Sequence, residues 1–259
     1  MDVFTPAGKP NGAGVIVCVS AEYTSNRELL NGLFHPLTTK PFLDRGYVVF
    51  AVLHSSQPRY NVADAVVDTH RAVRFIKANA KKYGVAADKL AITGGSSGGQ
   101  LALMTGCAGC VGDAASRDLV ERESSSVGAV GCFFPPTDYT ALEKRKPHKD
   151  FAAAFDFRER DPDSGTYPPV SAVRRRAILT AVSPLTHAGK TAAPTRIVHM
   201  RDDPVVPFAQ SEALIAKLKG CGVACDLAAR DGDKHFHPGV AADIPALADW
   251  FDRHLLGRK

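Results

Sequence analysis

Residues 89–104 read KLAITGGSSGGQLALM, and this stretch decides how the rest of the chain is read. Residues 90–93 are apolar and partly β-branched, which predicts a strand covered on both faces. Residues 97–107 predict a helix. Between them lies a G-x-S-x-G pattern, in the strand–turn–helix context that such a pattern needs to carry chemistry. A tight strand-to-helix turn brings together the positions two before and two after the serine, so only small residues fit there. The serine Oγ then projects above the sheet. The helix behind it offers N-terminal N–H groups to a developing negative charge.

Two registers fit. Gly94-Gly95-Ser96-Ser97-Gly98 makes Ser96 the nucleophile, and Gly95-Ser96-Ser97-Gly98-Gly99 makes it Ser97. The first keeps the serine nearer the strand end and leaves Gly99 for helix packing, so Ser96 is favoured. A glycine-rich turn without chemistry is the plain alternative. The G-x-G-x-x-G spacing of a dinucleotide site is absent.

Outward from this stretch, apolar runs at 15–19, 47–53, 127–134, 195–200 and 225–229 predict further strands. Helical patterns alternate with them. One starts at Asn61 and runs to a stop at Gly84, with Val62, Val66, Val67, Val73, Ile76 and Ala80 on its apolar face. Others are expected at about 28–45, 208–219 and 242–256. The alternation predicts a mostly parallel sheet with helices on both sides. The segment 135–190 breaks the pattern with Pro-Pro pairs, charge runs and aromatics. It reads as a partly helical insertion, either a solvated excursion or a cap over a binding site.

Composition narrows the classes. Length bounds the chain at one or two domains, and 45% apolar residues suffice for a sizeable core. The net charge of +5 is spread thinly, unlike the concentrated basic face of a nucleic-acid binder. No apolar run nears the ~18 residues of a membrane span. Six cysteines are too few for a disulfide scaffold at this length. Cys107-Ala-Gly-Cys110 lacks a second pair at zinc spacing and reads as structural. Together with an N-terminus that is no signal peptide, this suggests a cytoplasmic, reducing compartment. A start trimmed from a longer chain leaves a periplasmic or secreted setting open.

A serine nucleophile needs a base and a carboxylate that orients it. Asp203 opens a loop after the strand at 195–200, where sites form in open α/β sheets. Asp202 is its neighbour and the alternative. After the next strand come His235 and His237, of which His235 is favoured. His-x-His is also a metal-pair spacing, but no third ligand is evident nearby. His54, His70 and His199 read as structural.

These stretches, with DVFTP, VIVCVS, LDRGYVVFAVLHSSQP, DTHRAVRFI, CFFPPTD, SPLTHA, DDPVVPFAQS and DIPALADWFDRHL, resemble the α/β-hydrolase superfamily. Within it they are similar to the bacterial esterase/lipase, prolyl-oligopeptidase-like group. The likeness runs over nearly the whole chain. It implies an α/β-hydrolase fold in a single domain, 1–259, with the insertion at 135–190 inside it. Relatives read GGSAGG at the elbow, which aligns the nucleophile with Ser96. Their loop aspartate falls on Asp203. Their final histidine, usually in a G-H-G context, falls on His235, here flanked by Lys234 and Phe236.

Two departures stand out. Relatives begin with one or two extra strands before the DVF stretch, so an exposed sheet edge is expected here. Relatives also carry H-G-G-G-W or S-G-G-W where this chain has Ser20-Ala21-Glu22-Tyr23. Glycines let backbone N–H groups approach a substrate oxygen closely. The expected oxyanion donors are the N–H of Ser97 and that of Ala21 or Glu22, in a hole that is either working or weakened.

The resemblance implies a serine carboxylesterase without metal or organic cofactor, acting on small or carbohydrate-linked esters. A prolyl-oligopeptidase-like peptidase and a ligand-binding hydrolase fold without turnover are the alternatives. Lys144, Arg145, Lys146, Arg174, Arg175 and Arg176 make the insertion basic. They form either a solvated face or a preference for acidic or carbohydrate-linked esters.

Overall fold

The structure is a computed structural model that describes residues 1–32, 39–143, 149–236 and 239–258. Seven strands form one sheet: β1 (Asp2–Phe4), β2 (Gly14–Val19), β3 (Val48–Leu53), β4 (Leu90–Gly95), β5 (Ala129–Phe133), β6 (Thr195–Met200) and β7 (Cys225–Arg230). Their spatial order is β1-β3-β2-β4-β5-β6-β7. Every pairing is parallel except that of β1, which runs antiparallel to β3 at one edge. The central strands β2, β4 and β5 are buried along almost their whole length. That is why they read as continuous apolar runs rather than alternating ones.

The pleat divides these strands between two cores. Ile16, Cys18, Phe50, Leu90, Ile92, Val130 and Cys132 face one side. There they meet α3 (Val62–Ala78) and α5 (Ser97–Ala108). Val15, Val17, Val19, Val49, Ala51, Ala91 and Ala129 face the other side and meet α10 (Val240–Leu256). A single-residue alternation thus feeds two helix layers.

Most expected elements form. The helix expected over 61–84 is two: α3, closed into a capping box by Asn61 and Asp64, and a final turn α4 (Ala80–Tyr83) after Asn79. Gly84 ends it in the left-handed conformation, at φ 67°. Val67 does not belong to its apolar face: it is 64% exposed, because Val62, Ala65, Val73 and Ile76 already fill the stripe that meets the sheet. Of the helix expected over 28–45, α1 (Arg27–Leu29) and α2 (Lys40–Asp44) form toward its two ends, and 33–38 between them lie outside the described residues.

Between β5 and β6 the chain folds into α6 (Tyr139–Leu142), a 3-10 helix (Lys149–Phe155), α7 (Ala172–Ala181) and α8 (Pro184–His187). Lys144, Arg145 and Lys146 lie outside the described residues. Arg174 pairs with Glu159 and Arg175 with Glu143, so part of this segment's basic charge is neutralised locally. The helix α9 (Ala209–Gly220) joins β6 to β7. All six cysteines are unpaired thiols. Cys107 packs into the core while Cys110 is exposed beside the Arg74 guanidinium. No helix among the described residues is long and apolar enough to cross a membrane.

Candidate active site

The site forms at the carboxyl ends of β4, β6 and β7. β4 ends at Gly95 and α5 begins at Ser97, so Ser96 alone makes the turn. Its backbone sits at φ 51°, ψ −121°, a conformation an L-residue adopts only under constraint. The constraint is close backbone approach. A Cβ on Gly94 would fall onto the Gly98 carbonyl, and a Cβ on Gly98 would lie 2.6 Å from the Cys18 carbonyl oxygen. The Ser96 N–H donates to the Phe133 carbonyl at 2.9 Å and holds the turn against β5.

The Ser96 Oγ lies 2.8 Å from His235 Nε2. On the other side of the ring, His235 Nδ1 is 2.7 Å from Asp203 Oδ2. A carboxylate only accepts, so Nδ1 carries the proton and donates, and Nε2 accepts the Ser96 hydroxyl proton. Phe134, itself held at φ 38°, lays its ring 4.7 Å from the imidazole. Ser96, Asp203 and His235 therefore meet, although the sequence separates them by up to 139 residues. Asp202 is exposed and absent from this network, and His237 lies outside the described residues.

Asp203 is saturated. Oδ1 accepts from the N–H groups of Val205 and Val206, at 2.8 and 2.9 Å. Oδ2 accepts from His235 and from His199 Nε2, the latter at 3.2 Å. Burial pushes the carboxyl pKa up, but donation from His199, His235 and Val206 outweighs it and holds the group well below the usual carboxylate range. His199 is buried, with Nδ1 2.7 Å from Ser211 Oγ. Its Nε2 faces two acceptors, Asp203 and the Val206 carbonyl, so Nε2 bears the proton. The expectation of a merely structural His199 therefore misses its contact with Asp203. The available signal was its place four residues before Asp203, at the end of β6.

Around the expected oxyanion loop, Ala21 and Thr24 exchange both backbone hydrogen bonds, at 3.0 and 2.7 Å. Glu22 and Tyr23 make the turn between them at φ 52° and φ 61°. Ala21 thus drops out as an oxyanion donor, because its N–H is spent on Thr24. The N–H groups of Glu22 and Ser97 have no acceptor among the described residues, and both residues border the same cavity as Ser96. The left-handed positions fall on Glu22 and Tyr23, and the Glu22 side chain is exposed.

That cavity measures about 520 Å³. Ser96 and His235 both border it. Tyr139, Leu142, Phe155 and Leu179, all from the segment between β5 and β6, give it an apolar lining, and Arg175 and Glu143 supply one charged pair. Among the described residues, no cluster of three or more His, Cys, Asp or Glu stands at metal-binding separation.

Comparison with known proteins gives the same architecture. Esterase LipQ of Mycobacterium tuberculosis is 27% identical over 211 residues, covering 81% of this chain and 47% of the relative. The chain spans about half the length of the curated relatives it matches. A truncated carbohydrate esterase from gut microbiota superposes with a TM-score of 0.77 at 20% identity, over 98% of this chain and 90% of that one. An esterase of the planctomycete Thermogutta terrifontis, Est2, superposes at 0.73 with 24% identity, over 96% and 87%. The family model described as BD-FAE matches residues 1–218. That match spans six of the seven strands and the elbow itself, so the chain belongs to the BD-FAE family of the α/β-hydrolase superfamily.

Proposed function

We propose that this protein is a serine carboxylesterase, with Ser96 as nucleophile, His235 as general base and Asp203 as the carboxylate that orients it. The observation that carries the reading is the continuous line Ser96 Oγ–His235 Nε2, His235 Nδ1–Asp203 Oδ2, at 2.8 and 2.7 Å, opening into one cavity. Likeness to esterases supports it, from LipQ in sequence to Est2 in fold.

Ser96 Oγ attacks the ester carbonyl while His235 Nε2 takes its proton. The carbonyl oxygen becomes an oxyanion held by the N–H groups of Ser97 and Glu22. Collapse expels the alcohol, which takes the proton back from His235, and leaves an acyl-Ser96. His235 then draws a proton from water, and the hydroxide attacks the acyl group and frees the acid. The segment 135–190 acts as a cap within a single domain, since Tyr139, Leu142, Phe155 and Leu179 line the cavity that Ser96 borders. A cavity of about 520 Å³ suits small acyl groups or a carbohydrate-linked ester.

Hydrolysis of p-nitrophenyl acetate and butyrate tests the assignment. Ser96→Ala should lose about 10⁴–10⁶ in kcat, and a phosphonate should label the wild type stoichiometrically. Turnover at the wild-type level in Ser96→Ala, or a wild type that neither turns over nor is labelled, rejects it. A panel of peptide p-nitroanilides should give no comparable rate.

A further inference from the structure

The turn that carries the Glu22 N–H is built without glycine. Glu22 and Tyr23 both occupy left-handed backbone, at φ 52° and φ 61°. Such positions are strained for an L-residue and persist only where the surroundings over-determine them. What holds the turn is legible in the hydrogen bonds beneath it. The Tyr23 N–H donates to the Ser97 Oγ at 3.3 Å. Ser97 Oγ lies 2.8 Å from Ser20 Oγ, and Ser20 Oγ lies 2.9 Å from His54 Nε2. His54 Nδ1 is 2.7 Å from the Ser55 carbonyl.

Donor directions along this chain follow from its ends. The Ser55 carbonyl only accepts, so His54 Nδ1 carries the proton. Burial disfavours the charged imidazole, which leaves Nε2 as an acceptor. Ser20 must then donate to His54, and Ser97 must donate to Ser20. Ser97 Oγ is left with lone pairs facing the Tyr23 N–H. Each hydroxyl proton is used once, and no group along the line lacks a partner. Ser20, Ser97 and His54 are all buried, so water does not substitute for any link.

We infer that the hydroxyl of Ser97, braced by Ser20 and His54, is the latch that fixes the oxyanion turn. This deepens the esterase reading and rests on it. Ser97 then has two parts in one residue: its N–H is one oxyanion donor, and its side chain sets the position of the other. The two donors are thereby coupled through a single side chain. Ser97, Ser20 and His54 are positioning residues; none of the three hydroxyl or imidazole groups needs to touch the substrate. Gln57, which donates from Nε2 to the Glu22 carbonyl at 2.6 Å, secures the outer side of the same turn.

The test is steady-state kinetics on p-nitrophenyl butyrate with Ser97→Ala, Ser20→Ala, their double variant, and Ser97→Ala combined with Glu22→Gly. Ser97→Ala keeps the backbone donor and loses the latch. Its kcat should fall by about 10- to 100-fold, below the loss of a whole oxyanion donor, with KM changed less than about twofold. Ser20→Ala should fall in the same sense by a smaller factor. The double variant should be no worse than Ser97→Ala alone, because both act through one line. Glycine at position 22 relieves the strained backbone, so it should restore most of the kcat lost in Ser97→Ala. A packing defect at position 97 would not respond to that glycine. A Ser97→Ala variant with wild-type kcat, or multiplying losses in the double variant, overturns the inference. So does failure of glycine at position 22 to rescue. Phosphonate labelling of Ser96 in the wild type is measured in parallel. An unlabelled, inactive wild type would reject the esterase reading itself, whereas a labelled wild type with an indifferent Ser97→Ala rejects only the latch.

Discussion

At the scale of single residues, the site depends on side chains held where they would not rest by themselves. His199 is one of the holders. It gives Asp203 Oδ2 a second donor beside His235, and its ring is wedged edge-on against Phe208 with centroids 5.6 Å apart. His199→Phe keeps a ring of similar shape and removes that donor. It also strands the Val206 carbonyl and the Ser211 hydroxyl, at roughly 1–3 kcal/mol for each buried group left unpaired. The variant should lose about tenfold in kcat at nearly constant KM, with a lowered melting temperature. An unchanged kcat would mean that Val205 and Val206 orient Asp203 sufficiently by themselves. Where chemistry demands a fixed type, the sequence singled out side chains that the fold brings within hydrogen-bond distance. Ser96 had to stand between small residues, and Asp203 and His235 had to follow strands in chain order. The sequence failed where only tertiary contact decides. Nothing in the letters Glu22-Tyr23 favours left-handed backbone, and nothing in His54 or Ser20 announces a line of hydrogen bonds ending at Ser97.

Elements approach one another most closely at the elbow. Gly98 lets the first turn of α5 come against β2, and an added Cβ would sit 2.6 Å from the Cys18 carbonyl. Backbone cannot swing aside as a side-chain tip can. Gly98→Ala should therefore cost more than the ~1–3 kcal/mol of ordinary overpacking, seen as a large drop in melting temperature together with loss of turnover. A variant with wild-type melting would require the elbow to be looser than its geometry indicates. The same closeness explains what was legible at this scale. β2, β3 and β5 read clearly because strands buried on both faces are apolar throughout. Val67 fell within helical spacing yet faces solvent, because a helix on a sheet buries a narrower stripe than its apolar residues offer.

Over the whole molecule, buried imidazoles set the response to acid. Burial first, then the charges of Arg74 and His187, hold His70 down from 6.5 to about 4. Burial also lowers His54. Below pH 6.5 the unfolded chain takes up protons that the folded one refuses. The contribution is therefore complete above that value and is lost as pH falls toward 4, at no more than roughly 1.4 kcal/mol per pH unit for each group. His70→Gln retains a partner for Ser125, which His70 meets at 2.9 Å, and removes the titration. Urea unfolding at pH 7 and pH 5 should give a smaller loss of stability in the variant than in the wild type. Equal losses would assign acid sensitivity elsewhere.

The position of β7 has a consequence in time. Among the described residues it is the last strand in sequence and the outermost on its side of the sheet, and His235 follows it. Ser96, by contrast, sits after a central strand whose neighbours come from both halves of the sequence. A chain leaving the ribosome, or refolding from denaturant, can build β2, β3 and β4 long before it has a base for the serine. Contacts across 139 residues are slow to close. On the proposed esterase reading, turnover becomes a clock for the final step of assembly. The single tryptophan, Trp250, is buried in α10 just beyond His235 and reports the docking of that helix. In refolding from denaturant, far-UV circular dichroism should recover first and tryptophan emission next, with turnover no earlier than either; turnover ahead of tryptophan emission would reject this order.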